Sequence, residues 1–279
     1  MSLGVLLIVL LGALLHAGWN LVVKSGRDTR LTTAAVYAGA GVLASLALPF
    51  LTPPARASWP FLAAATATEI LYSALLAAAY RVGDLSHAYP LMRGSAPLLV
   101  ALGSGVLIGE HLTAFVWTGV ALVSGGIFSM IVDARSQGHS PTATRLALLN
   151  GLVIATYTTL DGVGVRLSGE PVTYSLWLAL LVGIPWVVWA GVWGGAHRWP
   201  TLRAHLPAAA LGGAGSVVSY TLALWAMTRA PVAAVAAVRE SSIVFGTALG
   251  ALVLHERVTR VRALAALAIA LGVYAIRAG

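Results

Sequence analysis

Long apolar blocks separated by short polar connections fill this chain, and each block approaches the roughly 20 residues that cross about 30 Å of hydrocarbon as a helix. Ten qualify: Leu3 to Val23, Leu31 to Leu51, Trp59 to Tyr80, Ser86 to Ile108, Thr113 to Ile131, Leu146 to Val165, Tyr174 to Trp193, Leu206 to Met227, Pro231 to Leu254 and Thr259 to Ile276. The pattern predicts an all-α polytopic membrane protein. The first block has no basic stretch before it and no small-residue cleavage site after it, and reads as a retained span rather than a signal peptide.

Composition agrees. Hydrophobic residues make up 59% of the chain and charged ones 9%, with mean hydropathy +0.88; a soluble globule carries about 25% charge. The net charge of +8 comes from 17 Lys and Arg placed in the connections without a clustered basic face, which excludes nucleic acid as a partner. With zero Cys, disulfides and thiolate metal sites are ruled out. The longest polar loop, from Asp133 through Ser136, Gly138 and Pro141 to Thr144, has no room for a nucleotide-binding domain, and the chain lacks a GxxxxGK[ST] loop. No HExxH, paired His ligands or Ser/His/Asp arrangement points to an enzyme, a metal or a cofactor.

The two halves match. Arg93-Gly-Ser95 corresponds to Arg239-Glu-Ser241, Glu110-x-x-Thr113 to Glu256-x-x-Thr259 and Gly126 to Gly272, all 146 positions apart, and with a two-residue shift Tyr72 and Arg81 correspond to Tyr220 and Arg229. We expect a first five-helix repeat over 1–133, a polar linker over 134–144 and a second repeat over 145–279. An odd number of spans per repeat turns the second upside down, an architecture common among secondary transporters. Of the Lys and Arg in the connections, eleven fall on one side (Lys24, Arg27, Arg30, Arg81, Arg135, Arg145, Arg198, Arg203, Arg257, Arg260 and Arg262), and four on the other (Arg56, Arg166, Arg229 and Arg277). The richer side is expected in the cytoplasm, with both termini outside.

Polar side chains within the blocks are the candidates for function, because each ionised group at the bilayer centre costs roughly 2.5 to 3.5 kcal/mol. Glu69, Arg93, Asp161, Arg239 and Glu240 are the charges. Two readings of the arginines stay open: they contact solute or gate its path, or they pair with Glu69, Glu240 or helix-end carbonyls and hold the bundle together. Spacing of i, i+3 and i+4 puts His16, Trp19 and Asn20 on one face; it likewise places Tyr72 beside Glu69, and Tyr157 beside Asp161. His87 and Tyr89 precede Arg93, while Tyr220 and Ser241 complete the set from the second half. Arg would take a carboxylate, Glu or Asp an amine, and the rings an apolar body; interfacial belts are the alternative for Trp59, Trp193 and Trp199. Pro90 and Pro97 predict a disturbed fourth helix. Glu110 and Glu256, just before Thr113 and Thr259, read as structural, and the two threonines as helix caps. The Gly pairs at 103/105, 125/126 and 212/213 predict close helix approach.

His16-Ala-Gly-Trp19-Asn20-x-x-x-Lys24, Ala88-Tyr-Pro90 with Arg93, Gly109-Glu110-x-x-Thr113, Ala230-Pro-Val-Ala-Ala-Val with Arg239-Glu240, and His255-Glu256 together resemble the EamA-type branch of the drug/metabolite transporter superfamily, over essentially the whole chain. The resemblance implies ten helices around a central cavity lined mainly by helices one, three, four, six, eight and nine. It also implies a bacterial exporter of small metabolites in the inner membrane. The chain lacks the basic and Gly-rich motifs of the nucleotide-sugar branch and the early Glu of the four-helix multidrug members. Amino acids, aromatic and apolar ones first, are therefore the expected substrate, moved by alternating access; the alternative is another small organic solute or drug. Glu69, His16, His87 and Asp161 are the candidate carriers if protons are coupled. A monomer in the lipid bilayer is expected. The rival classes are a channel, an intramembrane enzyme and a subunit that serves another membrane protein.

Overall fold

The computed structural model describes residues 1–26, 28–82, 85–133, 140–193 and 205–279. Arg27, residues 134–139 of the expected linker with Arg135, and Arg198, Trp199 and Arg203 lie outside the described residues, as do the side chains of Arg30 and Trp193. Ten helices are long and apolar enough to cross a membrane. They are α1 (Leu3–Ser25), α2 (Thr29–Ala47), α3 (Trp59–Val82), α4 (Leu85–Leu107), α5 (Ala114–Asp133), α6 (Pro141–Ser168), α7 (Pro171–Trp193), α8 (His205–Met227), α9 (Val232–Val253) and α10 (Arg260–Ala278). In hydrocarbon every backbone N–H and C=O must be satisfied within the segment, and a helix does this.

Side chains at the helix starts satisfy part of what the helices leave over. Ser2, Thr113, Ser140 and Thr259 accept from the backbone N–H three residues on, at 3.3–3.4 Å. The Ser140 cap with Pro141 at the first turn explains why α6 begins ahead of the expected Leu146. Apolar stripes face outward. Leu3, Leu7, Leu11 and Leu14 on α1, and Leu264, Leu267, Leu271 and Tyr274 on α10, are all exposed; two lateral stripes of this kind would be a liability in water, whereas lipid is their solvent.

Two helices depart from the sequence expectation. Although Pro90 and Pro97 predict a disturbed α4, that helix runs unbroken through both. The interruption is instead in α9, expected to be continuous, where Glu240 and Ser241 form a turn between Val232–Arg239 and Ser242–Val253. Tightened bonds from Glu240 N to Ala237 O (3.1 Å) and from Ser241 N to Val238 O (3.0 Å) close the first half-helix. In α8 a π turn over Ala208–Gly212 presses against α2. The fit is backbone to backbone, since a Cβ on Gly39 would sit 2.1 Å from the Ala209 carbonyl oxygen.

A two-fold relation between the halves is visible in the packing. α6 lies against α3 and α4 as α1 lies against α8 and α9, while α2 pairs with α7 and α5 with α10. The α5–α10 pair meets through small residues at matching positions. A Cβ on Gly119 would be 2.6 Å from the Gly272 carbonyl oxygen; one on Gly126 would be 3.0 Å from that of Ala265. Gly126, Gly212 and Gly213 thus carry the expected close approaches, whereas Gly103, Gly105 and Gly125 have no contact below 3.4 Å. The α4–α5 and α9–α10 connections repeat in detail. Ser104 O accepts from Glu110 N at 3.2 Å and Gly250 O from Glu256 N at 3.1 Å; Gly109 and His255, at matching positions, both have positive φ, 74° and 55°. The fold is two inverted five-helix repeats around a central cavity.

The core is lopsided. Its largest cluster joins the starts of α1 (Val5, Val9) and α3 (Leu62) to the first half of α9 (Val232 to Val238), the end of α8 (Leu224, Met227) and the end of α10 (Ile276). All of these lie toward the end that carries both termini. There the bundle is closed. At the opposite end buried clusters are small, and Leu252, Val253 and Lys24 are exposed. Because the α5–α10 seam has no spare space, Gly119→Leu is expected to cost about 1–3 kcal/mol by overpacking, read as a lower melting temperature in detergent; an unchanged melt would show that the seam is loose.

Candidate functional site

Above the closed core lies a cavity of about 1010 Å³, including the part open to solvent. His16, Trp19 and Asn20 enter it from α1, Glu69 and Tyr72 from α3, Tyr89 and Arg93 from α4, Tyr157 from α6, Tyr220 from α8 and Arg239 from α9. The shared face expected of His16, Trp19 and Asn20 positions them together: the rings of His16 and Trp19 meet edge-on at 5.1 Å, and Asn20 Nδ2 donates to His16 O at 2.8 Å. Trp19 Nε1, sequestered from solvent, has no acceptor among the described residues. Tyr72 and Tyr157 make an edge-on pair at 6.0 Å across α3 and α6.

Four expected residues stand outside this lining. Glu240 is buried and receives Arg93 Nη2 at 2.9 Å, an ion pair between the repeats. Ser241 is buried beside it. Asp161 is fully buried behind the wall and accepts from Tyr174 Oη at 3.1 Å and Tyr220 Oη at 2.5 Å. His87 lies at the α4–α6 contact, with Nε2 3.0 Å from Thr144 Oγ1.

The lining also has members the sequence did not single out. Tyr37 and Ala40 come from α2, and Ser175, Leu178, Ala179 and Val182 from α7, so the cavity is not confined to helices one, three, four, six, eight and nine. Tyr37 is fixed by stacking on Trp186 at 5.3 Å and 8°. Ser73, Ser216 and Ser219 add small polar positions.

The charges are arranged unequally. In the repeat register Arg239 is the partner of Arg93, but the position matching Glu240 is Gly94. Arg239 therefore has no carboxylate within ion-pairing distance among the described residues. Its guanidinium sits over the Tyr220 ring, 4.8 Å from the centroid, within electrostatic reach of Glu69 and Asp161. As the last residue of a half-helix it also faces the negative end of that helix's dipole. The site thus presents one cation with free donors, a nearby carboxylate and an aromatic wall. Among the described residues no three His, Asp or Glu converge as a metal site.

Residues 142–278, the second of the two matching halves, match the EamA-like transporter family. That half of the chain belongs to the EamA-like transporter family. A solved crystal structure aligns with 99% of this chain and 96% of its own at 18% identity and a TM-score of 0.74; at that identity the likeness is one of fold. No curated protein matches the sequence. The EamA-like protein is therefore a multi-pass membrane transporter of small solutes, and the family's members are transporters rather than enzymes.

Proposed function

We propose that this EamA-like transporter exports amino acids, aromatic and apolar ones first, across the bacterial inner membrane by alternating access. The observation that supports it best is the unpaired Arg239 guanidinium inside an aromatic cavity that also holds Glu69. A zwitterion needs both signs of charge held apart, with an apolar wall for its side chain. Arg239 takes the carboxylate, Glu69 the ammonium, and Trp19, Tyr37, Tyr72 and Tyr157 the body. Arg93 and Glu240 neutralise each other and hold α4 against α9. His16 and Asn20 close the wall near the open end. Tyr89 screens Arg93, and Tyr220 links Arg239 to Asp161. Ser241 and His87 act in the helix contacts rather than on solute.

The seam between the repeats is the connection between α5 and α6, ahead of Pro141, and each repeat of five helices moves as a unit about the α2–α7 and α5–α10 contacts. With the basic end in the cytoplasm the cavity described here opens inward. The unit is a monomer. Protons are the proposed counter-ion, through Glu69 and Asp161, which share Tyr220 and the one free cation among the described charges of the cavity.

Counterflow in proteoliposomes preloaded with a panel of unlabelled amino acids, following labelled phenylalanine or threonine, tests the substrate. Saturable uptake is expected; absence of uptake with every amino acid would redirect the search to other small organic solutes and drugs. In the same assay Glu69→Gln and Asp161→Asn are expected to flatten the dependence of uptake on an imposed pH gradient, and an unchanged dependence in both would rule out these carboxylates as carriers.

A further inference from the structure

The two ends of the bundle carry the same device in different states. At the closed end Glu110, in the α4–α5 connection, pairs with Arg166 at the end of α6, Oε1 to Nη2 2.6 Å. Both its oxygens also lie 3.0 Å from Val232 N, the first N–H of α9. Arg166 completes the closure by donating through Nε to Met227 O (2.8 Å), at the end of α8, and through Nη2 to Ala230 O (3.0 Å), in the α8–α9 connection. One carboxylate thereby ties together α6, α8 and α9.

At the open end Glu256 is the residue equivalent to Glu110, and its connection has the same backbone bonds, with His255 at positive φ where Gly109 stands. It pairs with Lys24 at the end of α1, the helix equivalent to α6. Arg262 Nη1 lies 3.9 Å away. Hydrogen bonding from Lys24, then the Coulomb attraction of Lys24 and Arg262, holds the Glu256 carboxyl below the usual carboxylate range, so it is an anion at neutral pH. What Glu256 lacks, among the described residues, is the second half of the Glu110 pattern: it accepts from no helix N-terminus. The register that maps Glu110 to Glu256 maps Val232 to Ser86, at the first turn of α4.

We infer that the switched contact of this carrier is a carboxylate on the first turn of the opposite repeat's fourth helix, and that the two such contacts, Glu110 on α9 and Glu256 on α4, close alternately. The base–acid pairs persist in both states and keep each carboxylate aimed. Among the described residues the helix cap is made at one end only. A helix N-terminus bears about half a positive charge, so the cap is strong enough to hold an end shut, yet exposed on release to water that replaces its bond. In the state not seen here, Glu110 keeps Arg166 and releases Val232, while Glu256 keeps Lys24 and takes Ser86 N.

The inference rests on alternating access but not on any particular substrate, and the linking pattern that tests it needs none. The chain has no Cys, so introduced pairs react alone. In reconstituted protein, a short bis-methanethiosulfonate linker is applied to K24C/E256C, E110C/V232C and S86C/E256C. The first pair is adjacent in both states and reports folding. All three are expected to link, E110C/V232C and S86C/E256C never in the same molecule when the four substitutions are combined, as read by intact mass. Linking either end is expected to reduce counterflow to that of protein-free liposomes, with recovery on reduction. The inference is overturned if S86C/E256C fails to link while K24C/E256C links, if E110C/V232C fails to link, or if both ends link in one molecule. Failure of amino-acid counterflow with the linking pattern intact would overturn only the proposed substrate.

Discussion

Arg239→Ala is expected to remove saturable counterflow while leaving the folded protein intact. Arg239 has no ion-pair partner to strand among the described residues, and its one marked contact is the Tyr220 ring. A charge-assisted hydrogen bond contributes about 1.5–3 kcal/mol, so losing the bond to a carboxylate lowers apparent affinity by about 10- to 150-fold. Arg239→Lys keeps the charge without the planar fork and should fall between the two. Apparent affinity and melting temperature measured on the same preparations separate binding from folding. Wild-type counterflow in Arg239→Ala would remove this residue from the site; a large drop in its melting temperature would instead make it structural.

Glu240→Ala is expected to have the opposite profile. It leaves Arg93, 9% exposed, without its carboxylate, and breaking a buried pair by removing one partner costs about 3–5 kcal/mol. Total stability of a typical protein is about 5–15 kcal/mol, so the variant should be recovered largely as aggregate. The double variant Arg93→Met/Glu240→Met removes both charges and should restore a melting temperature near the parent's. If Glu240→Ala melts like the parent, the pair contributes nothing to the closed bundle.

Much of this could be read from residue order, for reasons that differ by element. Bilayer thickness fixes span length, so the helices fall near their expected places, and α6 differs only because Ser140 and Pro141 start it early. The triplet His16, Trp19, Asn20 was legible because helical spacing alone brings it together. The partner of Arg93 was not: depth along a helix says nothing of azimuth, and Glu69 and Glu240 were equally available until α4 and α9 were seen to meet. Tyr37 and Ser175 entered from helices whose blocks carry no charge to draw attention. The α9 turn was hidden as well, since it falls at Glu240–Ser241 with no proline to announce it, while the prolines of α4 are accommodated. His255, a non-glycine with φ of 55°, was recognisable only through its match to Gly109.

The Gly119–Gly272 contact has a consequence for how such a protein tolerates change. A duplicated gene usually spreads risk, because one copy can drift while the other holds. Here the copies face each other across a single seam, where a Cβ on Gly119 would be 2.6 Å from the Gly272 oxygen and one on Gly272 would be 2.7 Å from the Gly119 oxygen. A drift in either half is felt by both. Damage at this seam can therefore enter from two distant stretches of the chain, and neither can be changed without regard to the other.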